Sequence, residues 1–461
     1  MIGFQSKNEL EQGLKGIADI ANGTLLIGDA AAFRNTLVDT LIYTAVFAKD
    51  TATQALARWV IWEASQSLGC PSSSIQELYD ARARTIYHGM TVPAINIRGI
   101  TYDVARTLFK TLKKLSASAC IFEIAKSEIG YTNQRPEEYT SCILAAALKE
   151  NYEGPVFIQG DHVQASAKNY AKDKTTEIAG LEALIREEVA AGFYNIDIDT
   201  STLVDLSQET IYEQQRVNFE NCAHLTKLIR DIEPDGITIS VGGEIAEVGG
   251  KNSTIEEFTA YMDGYLATLS TLAPKATGIS KISIQTGTSH GGVPLADGTV
   301  AEVKLDFACL ETISNAARER YKLGGAVQHG ASTLPDEAFN RFPETETVEV
   351  HLATGFQNLI YDHPAFPAEL REAIYTHLRA TMADEKKSGE TDAQFIYKTR
   401  KKGFGPFKQQ MWAMPGDTKA AILKDLGAMF ERIFHKLAIE GSSALVSRII
   451  TPVSVHRPIA R

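Results

Sequence analysis

Short apolar, β-branched segments recur along the middle of the chain, and each ends near a glycine, asparagine, aspartate or histidine. They are almost continuously apolar rather than alternating, which is typical of parallel strands buried on both faces. The eight segments are residues 92–97, 119–124, 155–160, 195–200, 237–244, 281–287, 326–330 and 349–354.

Most of the gaps between these segments have helical periodicity. On residues 102–116 one face carries Val104, Leu108, Leu112 and Leu115. Thr254, followed three residues later by Glu257, predicts a capping box at the start of a helix. Eight strands alternating with helices predict an α/β fold, a (β/α)8 TIM barrel; a doubly wound open sheet is the alternative.

The two flanks of the chain lie outside this alternation and have mainly helical patterns. We therefore expect an N-terminal helical extension over 1–90, the barrel over 91–365 and a C-terminal helical extension over 366–461. Both extensions are interpreted as covering the barrel or making contacts between subunits. We expect a homodimer or homotetramer.

Composition narrows the class of protein. The net charge of −11 argues against a nucleic-acid-coating protein, but it permits a positive pocket for an anionic substrate. We find no signal peptide and no apolar stretch long enough to span a membrane. The five cysteines are scattered, without a C-x-x-C pair, as expected for reduced thiols in a cytoplasmic protein.

Three of the ten histidines, His162, His290 and His329, lie at or just after the ends of the third, sixth and seventh predicted strands. In a barrel these ends converge on one face, and three nitrogen ligands with an open position suit a catalytic zinc site. A single histidine of this kind is more often a packing residue, whereas three equivalent ones favour a metal. Asp161, beside His162, is either an acid/base or a partner that orients an imidazole.

Small residues follow two of these histidines. Gly291 and Gly292 come after the second, and Gly330, with Ser332 close behind, comes after the third. Backbone N–H groups in such turns bind anions. A plain strand-to-helix turn is the alternative, but beside a metal site we favour phosphate binding.

The Gly-Asp-His at 160–162, the glycine-rich segment 243–250, the Gly-Thr-Ser-His-Gly at 287–291 and the His-Gly-Ala-Ser at 329–332 resemble those of class II ketose-bisphosphate aldolases. The resemblance covers roughly residues 90–365 and is closest to the fructose- and tagatose-bisphosphate branch. It implies a carbon–carbon lyase of carbohydrate metabolism and glycolysis. Such an enzyme uses Zn²⁺ to cleave a phosphorylated ketose reversibly into dihydroxyacetone phosphate and an aldehyde, and a monovalent cation commonly lies near the phosphate.

The resemblance also implies residue roles. The positions that match metal ligands are His162, His290 and His329. Asp161 matches the carboxylate that takes the proton from the C4 hydroxyl, and Glu244 matches a glutamate near the metal. The positions that match the holders of the 1-phosphate are Gly291, Gly330, Ser332 and Thr354.

Some positions depart from the family pattern, so the resemblance does not specify which ketose is cleaved. His351 replaces an asparagine that contacts the ketose fragment, and Lys251 begins a loop that normally carries acidic residues. The basic stretch 397–402 is interpreted as a solvated charge run; the alternative is a distal phosphate ligand at Arg400 or Lys401. Two other functions stay open: a metal-dependent hydrolase or epimerase on the same barrel, and a non-catalytic aldolase-like subunit.

Overall fold

Eight parallel strands close into a barrel in the computed structural model, which describes residues 3–246, 251–287 and 305–459. The strands are β1 Val92–Asn96, β2 Ile121–Ala125, β3 Val156–Gln164, β4 Asn195–Asp199, β5 Ser240–Glu244, β6 Lys281–Ile284, β7 Ala326–Gln328 and β8 Glu349–Leu352. Each strand pairs in parallel with the next, and β8 returns to β1 with Glu349 opposite Val92. All eight predicted strands are present, so the TIM barrel is confirmed, and closure excludes the open doubly wound sheet.

Helices surround the barrel as the apolar periodicity predicts. Those between the strands are Thr101–Lys114, Lys126–Tyr131, Pro136–Lys149, Ala167–Lys172, Lys174–Ala191, Ile211–Ile232, Ile255–Leu272, Phe307–Tyr321 and Arg341–Glu344, and Thr354–Asp362 follows β8. The predicted capping box is present: the Thr254 side chain accepts from the Glu257 N–H, and the Glu257 carboxylate accepts from the Thr254 N–H. Gly192 ends its helix at φ +94°, in the left-handed region that favours glycine.

The N-terminal flank is mainly helical, with one difference from the prediction. Its helices are Lys7–Leu14, Ala30–Ala32, Val38–Phe47, Thr51–Ser67 and Gln76–Ala83, with a π-helical turn at Phe33–Leu37. Residues 18–27 instead form a β-hairpin of Ala18–Ala21 and Thr24–Ile27. Asn22 and Gly23 between them both have positive φ, which suits a two-residue hairpin turn. The short strand Ser72–Ser73 lies beside the start of β3.

The C-terminal flank packs against the N-terminal one. Its helices are Ala368–Thr381, Asp392–Thr399, Lys408–Trp412, Gly416–Lys436 and Ser442–Ile449. Beyond them the chain runs along the helix Thr51–Ser67, where Trp59 Nε1 donates to the Arg457 carbonyl at 2.9 Å and Trp62 Nε1 donates to the Val455 carbonyl at 2.6 Å. Within the described ranges, no helix is both long and apolar enough to cross a membrane.

Candidate active site

The end of β3 has an irregular backbone that places two neighbouring side chains in the barrel mouth. The pairing of β3 with β4 shifts register between Gly160 and Val163. His162 has φ +43°, a conformation that is uncommon for residues other than glycine. In a regular strand Asp161 and His162 would point to opposite faces, and the irregularity lets both point inward. Such local departures are common beside active sites.

Asp161, His162 and His329 lie together at the mouth. One possible ligand atom from each side chain, a carboxylate oxygen or an imidazole nitrogen, lies within 4.8 Å of the other two. The rings of the two histidines are 4.2 Å apart between centroids. Glu244 reaches the same place from β5, with its Oε2 3.4 Å from His162 Nδ1. The structure thus brings together four of the predicted site residues, while His290 and Gly291 lie outside the described residues.

The donor atoms around His162 suit a divalent cation. Imidazole nitrogens with one or two carboxylates are a common ligand set for catalytic zinc and related metals. Asp199, at the end of β4, lies with its Oδ2 3.0 Å from His162 Nδ1 and also accepts from Gln164 Nε2 at 2.6 Å. That contact holds the imidazole in one orientation, as the carboxylates behind metal-binding histidines do.

The close packing of these charges shifts their pKa values in opposite directions. Burial alone would raise the pKa of Asp161, but His162 and His351 beside it hold it well below its usual range. Burial, together with the charge of Asp199, raises the pKa of Glu244 well above its usual range. Asp161 is therefore a carboxylate at neutral pH, whereas Glu244 holds its proton more tightly than a free glutamate does. A pair of carboxyl groups with separated pKa values is typical of acid/base sites.

His351 lies on the wall of the same mouth, where it contacts several carboxylates. Its ring stacks on His329 with centroids 4.1 Å apart. Nitrogens of the ring lie 3.2 Å from Asp161 Oδ1 and 2.7 Å from Glu349 Oε1. Burial would lower the pKa of His351, but Glu123 and its other acidic neighbours raise it well above its usual range. The sequence predicted a substrate contact here and did not predict the acidic surroundings.

Below His351 the barrel interior holds a buried ionic cluster that the sequence analysis missed. Lys281 Nζ, on β6, lies 2.9 Å from Asp197 Oδ1 and also contacts Glu349. It donates to Gln159 Oε1 at 2.8 Å. The side chain of Lys281 is 1% exposed, so this lysine can keep its charge only because acidic groups surround it. The only sequence signal was that polar residues interrupt these apolar strands.

A cavity of about 1070 Å³ opens over this group of residues. The predicted phosphate holders Gly330, Ser332 and Thr354 line one part of it. Arg98, which the sequence analysis did not select, lies among them, with Nη1 3.3 Å from Thr354 Oγ1 and Nε 2.6 Å from Glu128 Oε1. A guanidinium beside hydroxyl groups is well suited to a phosphate.

Part of the basic stretch 397–402 lines the cavity, whereas Arg400 is buried and lies outside the cavity lining. Arg400 pairs with Asp362, with Nη1 2.6 Å from Oδ1, and it does not line the cavity. Lys401 does line it, with Nζ 5.7 Å from the centre of the Tyr131 ring. Within the described part of the chain, Lys401 has no carboxylate oxygen within 4.0 Å. The C-terminal flank therefore forms one wall of the cavity.

One comparison with a solved structure agrees with this fold, and two further solved structures are similar to the chain at TM-scores under 0.5. A solved structure from Sinorhizobium meliloti 1021, described as a probable tagatose 6 phosphate kinase, has TM-score 0.50 and 17% identity, covering 80% of this chain and 96% of its own. The fructose-bisphosphate aldolase of Campylobacter jejuni has TM-score 0.45 and 17% identity, covering 79% and 95%. The YdjI aldolase of Escherichia coli K12 has TM-score 0.38 and 13% identity, covering 75% and 99%. A comparison with curated proteins finds no match.

The family model named fructose-bisphosphate aldolase class-II matches residues 76–406, which is more than half of the chain. This match includes all eight barrel strands and every predicted site residue. On this evidence the chain belongs to the class II fructose-bisphosphate aldolase family.

Proposed function

We propose that this chain catalyses the reversible aldol cleavage of a phosphorylated ketose, releasing dihydroxyacetone phosphate and an aldehyde, with one Zn²⁺ at the mouth. The observation that supports this most is the meeting of Asp161, His162, His329 and Glu244 beside a cavity lined by Ser332 and Thr354. When bound to these histidines, a divalent cation supplies a Lewis acid for the ketone carbonyl.

Asp161 has the position and protonation state for the proton transfer. As a buried carboxylate at the cavity wall, it can accept the proton of the substrate C4 hydroxyl while the C3–C4 bond breaks. Asn96 Nδ2 donates to Asp161 Oδ2 at 2.9 Å, and this bond helps to fix the orientation of the carboxylate. In the direction of synthesis the same group returns the proton.

The other end of the substrate needs an anion site. Arg98 provides a charge next to the Thr354 hydroxyl, and Ser332 lies on the same part of the cavity wall. A phosphate held there fixes the ketose relative to Asp161, and holding the reacting groups in the right geometry contributes a large part of the rate. A hydrolase acting on neutral substrates would not need this group of residues.

The decisive assay is turnover by the purified chain. Ketose 1-phosphates and 1,6-bisphosphates are offered, and dihydroxyacetone phosphate is measured with a coupled reductase. We expect activity that a chelator removes and Zn²⁺ restores, and we expect Asp161→Asn to lower kcat by about 10²- to 10⁴-fold. Asp231→Asn, at a surface position 54% exposed, serves as the matched control. The proposal fails if the zinc-loaded chain releases no dihydroxyacetone phosphate from any of these substrates.

Phosphate anchoring is tested separately. Ser332→Ala and Thr354→Val should raise KM for phosphorylated ketoses more than they lower kcat, because the anchor binds ground state and transition state alike. Equal kinetics in native and variant enzymes would contradict this part of the proposal. Homodimer or homotetramer formation, also proposed, is measured by light scattering on the same samples.

A further inference from the structure

One imidazole connects the reacting carboxylate to the ionic cluster inside the barrel. His351 Nδ1 lies 3.2 Å from Asp161 Oδ1 and 3.1 Å from Glu123 Oε1. On the opposite edge of the ring, Nε2 lies 2.7 Å from Glu349 Oε1. The two nitrogens of a histidine therefore contact Asp161 above and Glu349 below.

The lower end of this connection is held firmly. Glu349 is fully buried and contacts Lys281 Nζ, and it accepts from Gln159 Nε2 at 3.0 Å. Its second oxygen accepts from the Tyr79 hydroxyl. With each carboxylate oxygen engaged, Glu349 cannot turn away from His351.

The ring itself also has little freedom. His351 is 4% exposed, and its face stacks on His329 with an interplanar angle of 19°. Because the ring is held by stacking and by Glu349, its Nδ1 stays beside Asp161. Asn96 holds the other Asp161 oxygen, so the carboxylate is constrained from both sides.

We infer that His351 is a positioning residue for Asp161: through Nδ1 it sets the direction in which this carboxylate faces the substrate, and Glu349 and Lys281 hold it in place. The inference rests on the proposed function for the role of Asp161. It differs from the direct substrate contact expected at this position, because His351 acts through another side chain. A carboxylate displaced by about 1 Å can cost about 10²-fold in rate.

The test exploits the two edges of the ring. In His351→Asn the amide nitrogen takes approximately the place of Nδ1, whereas in His351→Gln it takes that of Nε2. We expect His351→Asn to keep kcat within about tenfold of native, and His351→Gln to lose about 10²-fold, each with little change in KM. His351→Leu should fall at least as low as His351→Gln.

Three outcomes would overturn the inference. The first is a kcat for His351→Gln equal to or above that for His351→Asn, which would mean that only the contact with Glu349 matters. The second is a native kcat in His351→Leu. The third is a rise in KM with unchanged kcat in each variant, which would indicate direct substrate binding. If His351→Leu fails to fold, the Asn and Gln variants still decide.

A structural readout separates this inference from the proposed function. Crystal structures of the Asn and Gln variants should show Asp161 in its native rotamer in the first and rotated in the second. Native Asp161 in both would refute the positioning role even if the chain is an active aldolase. Conversely, if the native chain cleaves no ketose phosphate, the proposed function fails while the rotation of Asp161 still tests the inference.

Discussion

Replacing Lys281 by methionine removes the one lysine inside the buried ionic cluster while keeping a side chain of similar length. The ammonium lies within hydrogen-bond distance of Gln159, Asp197 and Glu349, and its loss leaves both carboxylates without their lysine partner. Breaking a buried ion pair in this way costs about 3–5 kcal/mol of unfolding free energy. We expect a loss in that range near neutral pH.

The loss should depend on pH in a defined direction. Burial alone would raise the pKa of Glu349, but Lys281 outweighs it and holds the pKa at about 2, below the ordinary 4.5. The stabilisation that the pair of Lys281 and Glu349 gives to the folded state is complete above pH 4.5 and disappears as the pH falls through about 2. Without Lys281 the carboxyl groups can take up protons at moderately acid pH. The difference in unfolding free energy between the native chain and Lys281→Met should therefore be smaller at about pH 5 than at neutral pH.

Urea unfolding followed by circular dichroism measures the effect at both pH values. Lys168→Met, at an exposed position on a helix, is the matched control and should stay within about 0.5 kcal/mol of native. Adding Glu349→Gln to Lys281→Met should recover part of the stability, because one uncompensated charge is removed. A deficit below about 1 kcal/mol that changes with neither pH nor Glu349→Gln would refute the reasoning.

Three further predictions concern other residues. Burial raises the pKa of Glu123 to about 8 from 4.5, so between these pH values the folded state holds a proton that the unfolded state has lost. The free energy of unfolding, measured by urea titration, should therefore fall as the pH rises from 4.5 to about 8. It should fall less steeply in Glu123→Gln. Lys401→Gln should raise KM for a ketose bisphosphate about tenfold in steady-state kinetics, whereas Lys402→Gln, whose lysine pairs with Glu385, should not. Gly192→Ala should lower the unfolding free energy by about 1–3 kcal/mol in the same titration, since φ is +94° and the added Cβ would lie 2.4 Å from the Trp62 ring.

The barrel could be predicted because its evidence is local. Each strand is a short apolar run, and each helix has its own periodicity and cap, so eight repeats of one pattern specify the architecture. The hairpin over 18–27 shows the opposite case. Its two strands are only four residues each, so periodicity is uninformative. The Asn22–Gly23 pair, typical of a two-residue hairpin turn, is the one local signal for this hairpin.

The location of four residues of the candidate site could be predicted for a similar reason. Asp161, His162, His329 and Glu244 lie at or near the carboxyl ends of strands, and the carboxyl ends of all strands in a barrel share one face. Lys281 could not be predicted in this way. It is the first residue of β6, where a lysine resembles an exposed position at the start of a strand. Only closure of the barrel shows that its neighbours are Asp197 and Glu349.

The buried ionic cluster indicates a different role for His351 from the one that its sequence position suggests. Taken alone, a histidine in place of the expected asparagine suggests a damaged substrate site and an aldolase-like subunit without activity. The structure shows that the replacement is accompanied by acidic residues from β2, β4 and β8, which lie within 3.6 Å of the imidazole. An imidazole buried among carboxylates is stabilised by them and can offset part of their charge. His351 and the residues beneath it thus form one coherent arrangement around Asp161, which argues for a modified active site rather than a lost one.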